Sequence, residues 1–138
     1  MLNKRLVSIL VPLCLLMVLI SCTSTPDNSN GAVVYRQYCM QCHQADGAGV
    51  ANLNPPLIQT EWVLGDKSRL IGVVLNGLSD PIEINGETFR NVMASHAFLS
   101  DQDIADVLTY VRSSFGNEAS AVTPEEVMAE RLNQTHVD

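Results

Sequence analysis

Aromatic and basic residues are the two classes that this 138-residue sequence contains only in small numbers. It has one Trp, three Tyr and three Phe, and eight Lys and Arg against fifteen Asp and Glu. The sequence lacks the clustered positive charge that binding to nucleic acid requires, which excludes nucleic acid as a partner. The few aromatic side chains leave the domain short of large groups for a hydrophobic core.

Cysteine is scarce as well: the sequence has four, and only Cys39 and Cys42 lie beyond the N-terminal segment. With this single pair, no structural disulfide is expected. A zinc site would need a second pair of ligands at a suitable spacing, and the sequence has none. A thioredoxin-like Cys-x-x-Cys pair is disfavoured because no βαβ pattern surrounds these residues.

Residues 39–43 read Cys-Met-Gln-Cys-His, the attachment signature of c-type haem. Thiols three positions apart lie on one face of a helical turn, where each can add to one haem vinyl group. His43 then falls under the iron as an axial ligand. The motif therefore predicts one covalent haem c, which would supply much of the missing apolar surface. We expect the apo-protein to be largely unfolded, because cofactor binding and folding are linked.

The N-terminus has the pattern of an export signal. Lys4 and Arg5 precede an apolar run over residues 6–20, which is too short and wrongly flanked for a spanning helix. The run ends in Leu-Ile-Ser-Cys22, which resembles a bacterial lipobox. The resemblance implies cleavage before Cys22, lipidation of that residue and loss of Cys14 with the signal. The alternatives are a plain secretory signal that leaves Cys22 a free thiol, and a retained transmembrane anchor.

The rest of the chain divides into three segments after a signal peptide over residues 1–21. Residues 22–30 form a flexible tether rich in Ser, Thr and Asn, residues 31–117 a single domain, and residues 118–138 a short helix and tail. An anchored, exported protein would lie on the periplasmic side of a membrane. The acidic balance favours a partner with a basic docking face, or serves solubility alone.

Hydrophobic spacing predicts a mainly helical domain. Helices are expected over 32–42, 67–75 and 100–115, the last with Ser100 as its N-cap. A short final helix should begin at Thr123, which is followed by Pro and two Glu. Asn-Gly at 85–86, flanked by apolar residues, predicts a β-hairpin near 82–89.

The second axial ligand decides the chemistry, because six-coordinate haem moves electrons whereas five-coordinate haem binds gases or substrates. Met93 is the predicted ligand: it lies in a loop before the last main helix, and that loop can fold over the open haem face. A Met sulfur raises the reduction potential relative to a nitrogen ligand. His96 is the alternative ligand. Met128 is expected to pack in the terminal helix.

Over residues 31–117 the chain resembles class I monohaem cytochromes c, and in particular small bacterial ones that serve dehydrogenases, reductases and terminal oxidases. The resemblance implies an all-α cytochrome c fold with three to five helices around one covalent haem. The matching segments are residues 35–43, Asn54-Pro55-Pro56-Leu57, Met93, Leu99-Ser100-Asp101 and residues 107–112.

The resemblance also implies roles for individual residues. Cys39 and Cys42 would carry the thioether bonds, and His43 and Met93 would be the axial ligands. The carbonyl of Pro56 would accept a hydrogen bond from Nδ1–H of His43, which fixes the imidazole tautomer and makes the ligand more electron-rich.

Three further positions follow from the same resemblance. Gly31 and Tyr35 would contact the last main helix near Tyr110, and Trp62 would lie near the haem propionates. One departure stands out: members of the family usually have Pro directly after the ligand Met, and this chain has Ala94. Without that Pro the loop is less stiff, so we expect a more labile bond between Met93 and iron.

These observations predict an electron carrier rather than an enzyme. The protein would be a monomer that shuttles single electrons between membrane-associated or periplasmic redox partners. One alternative is an electron-entry subunit of a larger dehydrogenase, reductase or oxidase. Another is a haem gas sensor or peroxidase-like enzyme with an open iron site.

Overall fold

The computed structural model describes residues 29–134. The predicted signal peptide, Cys22 and most of the tether therefore lie outside the described residues, as do residues 135–138. Between residues 29 and 134, no helix combines the length and the apolar character needed to cross a bilayer.

The first helical segment, α1, covers residues 30–43 and changes its winding in the middle. It is α-helical over Asn30–Val34, π-helical over Tyr35–Cys39 and α-helical again over Met40–His43. Gln44 ends the segment with a φ of 64° and donates its backbone N–H to the carbonyl of Met40 at 2.8 Å. The sequence predicts this helix but not its wide π turn, a feature that is often found at functional sites.

Two helices follow the loop after α1. The helix α2 covers Glu61–Leu64 and α3 covers Lys67–Asn76. Each begins at a side chain that caps its first turn: Thr60 Oγ1 accepts from the N–H of Val63 at 3.2 Å, and Asp66 Oδ1 accepts from the N–H of Arg69 at 2.7 Å. The helix predicted over 67–75 is confirmed and extends by one residue, to Asn76.

The predicted β-hairpin is present. Strands β1 (Ile82–Ile84) and β2 (Glu87–Phe89) pair antiparallel, with Ile82 opposite Phe89. Asn85 and Gly86 connect them with φ values of 53° and 81°, as a tight hairpin turn requires. Ile84 and Phe89 are buried, so one face of the hairpin packs on the core.

The helix α4 covers Asp101–Ser113 and is capped by Ser100 as predicted. It crosses α1 closely because Gly31 has no side chain, and a Cβ there would collide with the backbone of Asp106. The rings of Tyr35 and Tyr110 meet at the same crossing with 5.4 Å between their centroids. The predicted contact between α1 and the last main helix is confirmed.

The last helix, α5, covers Pro124–Gln134 and packs on α3 and α4. A capping box starts it: the N–H of Thr123 donates to Glu126 Oε2 at 2.8 Å, and the N–H of Glu126 donates to Thr123 Oγ1 at 3.3 Å. Val127 is fully buried, so α5 contributes to the same core as the predicted domain over 31–117. Residues 29–134 thus form five helices and one two-stranded sheet, which confirms the predicted all-α fold class.

Candidate functional site

A cavity of about 310 Å³ opens between α1, α3, the hairpin and the loop that precedes α4. Its walls are mostly apolar, as expected of a site for a large hydrophobic group. The apolar lining includes Leu57, Leu70, Val74, Leu78, Ile82, Ile84, Phe89, Leu99, Val107, Leu108 and Val111.

The haem-attachment motif lies in the wall of this cavity. Cys39, Cys42 and His43 all line it, and both cysteines are free thiols. Nδ1 of His43 lies 3.0 Å from the carbonyl oxygen of Pro55. Because a carbonyl can only accept, Nδ1 must carry the proton, and Nε2 keeps the lone pair that a metal requires.

The predicted acceptor for His43 is wrong by one residue, because the carbonyl belongs to Pro55 and not to Pro56. Neighbouring carbonyls in an extended segment point to opposite sides, so only one of the two can face the imidazole. The segment is held by the N–H of Leu57, which donates to the carbonyl of Gly47 at 2.7 Å. Pro56 itself lines the cavity beside Pro55.

The surroundings of the motif control its protonation. Burial lowers the pKa of His43; the hydrogen bond to Pro55 opposes this shift and the nearby His96 adds to it. The imidazole is therefore neutral near pH 7, which is the form that binds a metal. Burial, and to a smaller extent Cys42, raises the pKa of the Cys39 thiol to about 11. A thioredoxin-like site needs a lowered thiol pKa, so Cys39 does not resemble a redox-active cysteine.

Met93 lines the same cavity from the loop before α4. A pair of backbone hydrogen bonds holds it: the N–H of Met93 donates to the carbonyl of Leu78, and the N–H of Leu78 donates to the carbonyl of Met93, both at 2.9 Å. The neighbouring Gly77 has a φ of 75°, and a Cβ there would collide with the carbonyl of Met93. The end of α3 and the position of Met93 are therefore coupled.

His96, the alternative ligand, also lines the cavity. The backbone N–H of His96 donates to the carbonyl of Val74 at 2.9 Å. The imidazole ring lies against Tyr38 and Phe98, with centroid distances of 6.4 and 5.8 Å. Nδ1 of His96 is buried and has no hydrogen-bond partner among residues 29–134. Both candidates for the second ligand thus lie in one loop, on the cavity that His43 lines.

Trp62 lines the cavity and has a cation above its ring. The guanidinium carbon of Arg69 is 4.7 Å from the ring centroid, and the same group donates to the carbonyl of Glu61 at 3.1 Å. A second polar contact on the cavity wall joins Asn91 Nδ2 to Asn54 Oδ1 at 2.8 Å. Sequence reasoning missed Arg69 and Asn91 and gave Asn54 no individual role, because only the folded chain brings these partners together. The placement of Trp62 near the propionates stays a prediction.

These residues fit the haem that the motif implies. Two thiols, a neutral imidazole with Nε2 free for a metal and a thioether sulfur share one mainly apolar cavity. Thioether sulfur and imidazole nitrogen are ligands that haem iron binds in proteins, and the apolar walls can pack against the haem macrocycle.

The sequence matches the family described as Cytochrome c over residues 29–115. It is similar to cytochrome c-552 of Thermus thermophilus, with 34% identity over 125 residues that cover 75% of this chain and 95% of the relative. The match therefore spans nearly the whole of that protein.

Larger proteins match over part of their length. The gluconate 2-dehydrogenase cytochrome c subunit of Pantoea cypripedii is 35% identical over 112 residues, which cover 79% of this chain and 25% of the subunit. The Cbb3-type cytochrome c oxidase subunit CcoP of Rhodobacter capsulatus is 31% identical over 112 residues, which cover 77% of this chain and 37% of the subunit.

Proposed function

This chain belongs to the cytochrome c family and is an electron carrier with covalently bound haem c, and on that premise we propose which residues serve the cofactor. Cys39 and Cys42 hold the haem, and His43 and Met93 are the axial ligands of its iron. The observation that carries this assignment is the shared cavity, on which His43 is held by Pro55 in the tautomer that ligates a metal.

The haem, when bound, supplies a one-electron couple between ferric and ferrous iron. Cys39 and Cys42 would hold the haem through thioether bonds, and addition of a thiol S–H to a vinyl group needs no oxidant and releases no leaving group. The carbonyl of Pro55 makes His43 a more electron-rich ligand, because it accepts the Nδ1 proton. The backbone pair with Leu78 positions the Met93 sulfur, and the apolar walls exclude water from the site.

The visible spectrum of the holoprotein tests this assignment. We expect sharp low-spin bands in the reduced form, a ferric sulfur-to-iron band that Met93→Ala removes, and no reaction with carbon monoxide. The His96→Phe variant is the matched control, since it should keep the sulfur-to-iron band. A low-spin parent that lacks this band, and that becomes high-spin in His96→Phe but not in Met93→Ala, would make His96 the ligand. A high-spin spectrum with rapid carbon monoxide binding would favour a gas sensor or peroxidase-like enzyme.

Outside the described residues, we propose a signal peptide over 1–21, export, and a lipid on Cys22 that anchors the domain to the periplasmic side of a membrane. The support is the sequence of the N-terminus: basic residues, an apolar run and a lipobox-like end. A tether over residues 22–30 would raise the effective concentration of the domain near membrane-bound partners. We expect Cys22→Ser to move the holoprotein from the membrane to the soluble fraction and to abolish labelling with radioactive palmitate. An unchanged distribution and unchanged labelling would disprove the anchor.

The partners are proposed to be redox proteins, with the domain acting as a free monomer that docks briefly on each. Brief docking suits a carrier that must leave its partner after each electron. A second candidate is an electron-entry subunit of a larger enzyme, which the matches to dehydrogenase and oxidase subunits favour. Purification of the tagged protein from its own membranes separates the two: a stable catalytic partner would support the subunit, and a single haem-containing chain without a partner would support the carrier.

A further inference from the structure

The helix α5 lies beyond the residues that match the family, yet it holds the loop that carries Met93. Arg131, in the last turns of α5, donates from Nη1 to the carbonyl of Ala97 at 2.8 Å and from Nη2 to the carbonyl of Leu99 at 3.0 Å. Its Nε donates to Asp101 Oδ1 at 2.9 Å, at the start of α4. One guanidinium thus joins two loop carbonyls to the first residue of the helix that follows.

Within residues 29–134, the other hydrogen bonds that join this loop to the rest of the protein lie on its other half. The backbone of Met93 pairs with Leu78, the hydroxyl of Ser95 donates to the carbonyl of Leu75, and the N–H of His96 donates to Val74. These three contacts hold residues 93–96 against the end of α3. Between residues 96 and 99 the loop turns outward, and Phe98 is 68% exposed. The hydrogen bonds of Arg131 hold this outward half, and the Phe98 ring adds an edge-to-face contact with Tyr38 at 5.4 Å between centroids.

We propose that Arg131 is a positioning residue that keeps the ligand loop closed and thereby stabilises the bond between Met93 and the haem iron. The proposal rests on the assignment of Met93 as the axial ligand. A loop that opens must withdraw Met93 from the iron, and it must also break the hydrogen bonds to Arg131. Hydrogen bonds from a charged donor are stronger than those between neutral groups, so their loss raises the population of the open loop.

The rest of α5 is anchored without Arg131, which makes a controlled comparison possible. In the first turn of the helix Val127 is fully buried, and Glu126 Oε1 accepts a hydrogen bond from Lys67 Nζ at 2.8 Å. Glu126→Gln breaks that ion pair at one end of α5 and leaves the contacts of Arg131 at the other end intact. It therefore controls for any general loosening of the helix.

The experiment compares ferric holoprotein of the parent, Arg131→Gln, Arg131→Lys and Glu126→Gln. Imidazole is titrated into each, and its binding is followed by loss of the sulfur-to-iron band. Apparent affinity for an added ligand rises with the fraction of protein whose loop is open. We expect Arg131→Gln to bind imidazole about tenfold more tightly than the parent, since it loses three charge-assisted hydrogen bonds. Arg131→Lys should lie in between, and Glu126→Gln should match the parent.

Amide hydrogen exchange provides a second measurement that does not depend on the iron ligand. The N–H groups of His96 and Leu99 are hydrogen-bonded in the closed loop, so both should exchange faster in Arg131→Gln and not in Glu126→Gln. Equal behaviour of these two variants in both measurements would overturn the role of Arg131. Faster exchange without tighter imidazole binding would also overturn it, because the loop would then be held without effect on the iron. A parent protein without a sulfur-to-iron band would instead refute Met93 as the ligand.

Discussion

Replacement of Gly77 by Ala should disturb the haem site from outside it. Gly77 ends α3 with a φ of 75°, and an added Cβ would collide with the carbonyl of Met93 and approach Ser95 N at 2.8 Å. With a ψ of −169°, this backbone conformation is nearly restricted to Gly and costs another residue about 1–3 kcal/mol. Displacement of the packed Met93 backbone adds about 1–3 kcal/mol. Together these terms predict a loss of about 2–6 kcal/mol in the free energy of unfolding.

Gly86 is a matched control for the conformational part of this cost. It has a φ of 81° in the hairpin turn, and an added Cβ there would meet no atom within 4 Å. Gly86→Ala should therefore lose only the conformational term of about 1–2 kcal/mol. The extra loss in Gly77→Ala reports the collision with the ligand loop together with the rarer backbone conformation of Gly77.

Guanidinium-induced unfolding of the ferric holoprotein measures both variants, and the sulfur-to-iron band reports the ligand loop directly. We expect Gly77→Ala to unfold at a lower guanidinium concentration than Gly86→Ala and to lose part of the band. Gly86→Ala should keep the band in full. Equal destabilisation of the two variants with an intact band would refute the coupling between the end of α3 and Met93.

The remaining predictions concern the pH dependence of stability, a buried charge and haem attachment. The hydrogen bond from Lys67 holds the pKa of Glu126 below its usual value of 4.5. The contribution of this contact to the free energy of unfolding is therefore complete above pH 4.5 and is lost as the pH falls through the lower pKa of the folded state. In urea unfolding, the parent should therefore have a higher free energy of unfolding than Glu126→Gln at pH 7, and this difference should shrink below about pH 4.5. Arg112 is 3% exposed and donates to three backbone carbonyls, so Arg112→Met should lower the free energy of unfolding by about 3 kcal/mol in the same assay; a loss below about 1 kcal/mol would contradict this. Replacement of both Cys39 and Cys42 by Ala should prevent covalent haem attachment and leave little helical circular dichroism, whereas a fully helical haem-free protein would contradict the link between haem binding and folding.

Local signals account for the parts of the fold that the sequence predicts well. Ser100 caps α4, Thr123 opens α5 in a capping box, and Asn85 and Gly86 form the hairpin turn. Each of these features depends on residues within a few positions of one another, so the sequence contains all the information needed. The haem-attachment motif is local in the same sense.

Features that depend on contacts between distant residues could not be predicted from the sequence. The choice between the carbonyls of Pro55 and Pro56 depends on how the loop is held against Gly47, and neighbouring carbonyls look alike in the sequence. The apolar residues around the π turn over Tyr35–Cys39 have the spacing of an ordinary α-helix, so the sequence pattern does not reveal the turn. Arg131 is more than thirty residues from the carbonyls it contacts, and no local pattern marks it.

The contrast between local and distant contacts also applies to Ala94, which stands where members of the family usually have Pro. A Pro after the ligand Met stiffens the loop locally, because its ring fixes φ, and its absence predicts a labile iron bond. In the folded protein the loop is held instead by distant residues. The backbone of Leu78 pairs with that of Met93, and Arg131 donates hydrogen bonds to the carbonyls of Ala97 and Leu99. If these contacts supply the stiffness, Ala94→Pro should change imidazole affinity little in the parent and lower it clearly in Arg131→Gln. An equal decrease in both backgrounds would mean that local and distant restraints act independently on the loop.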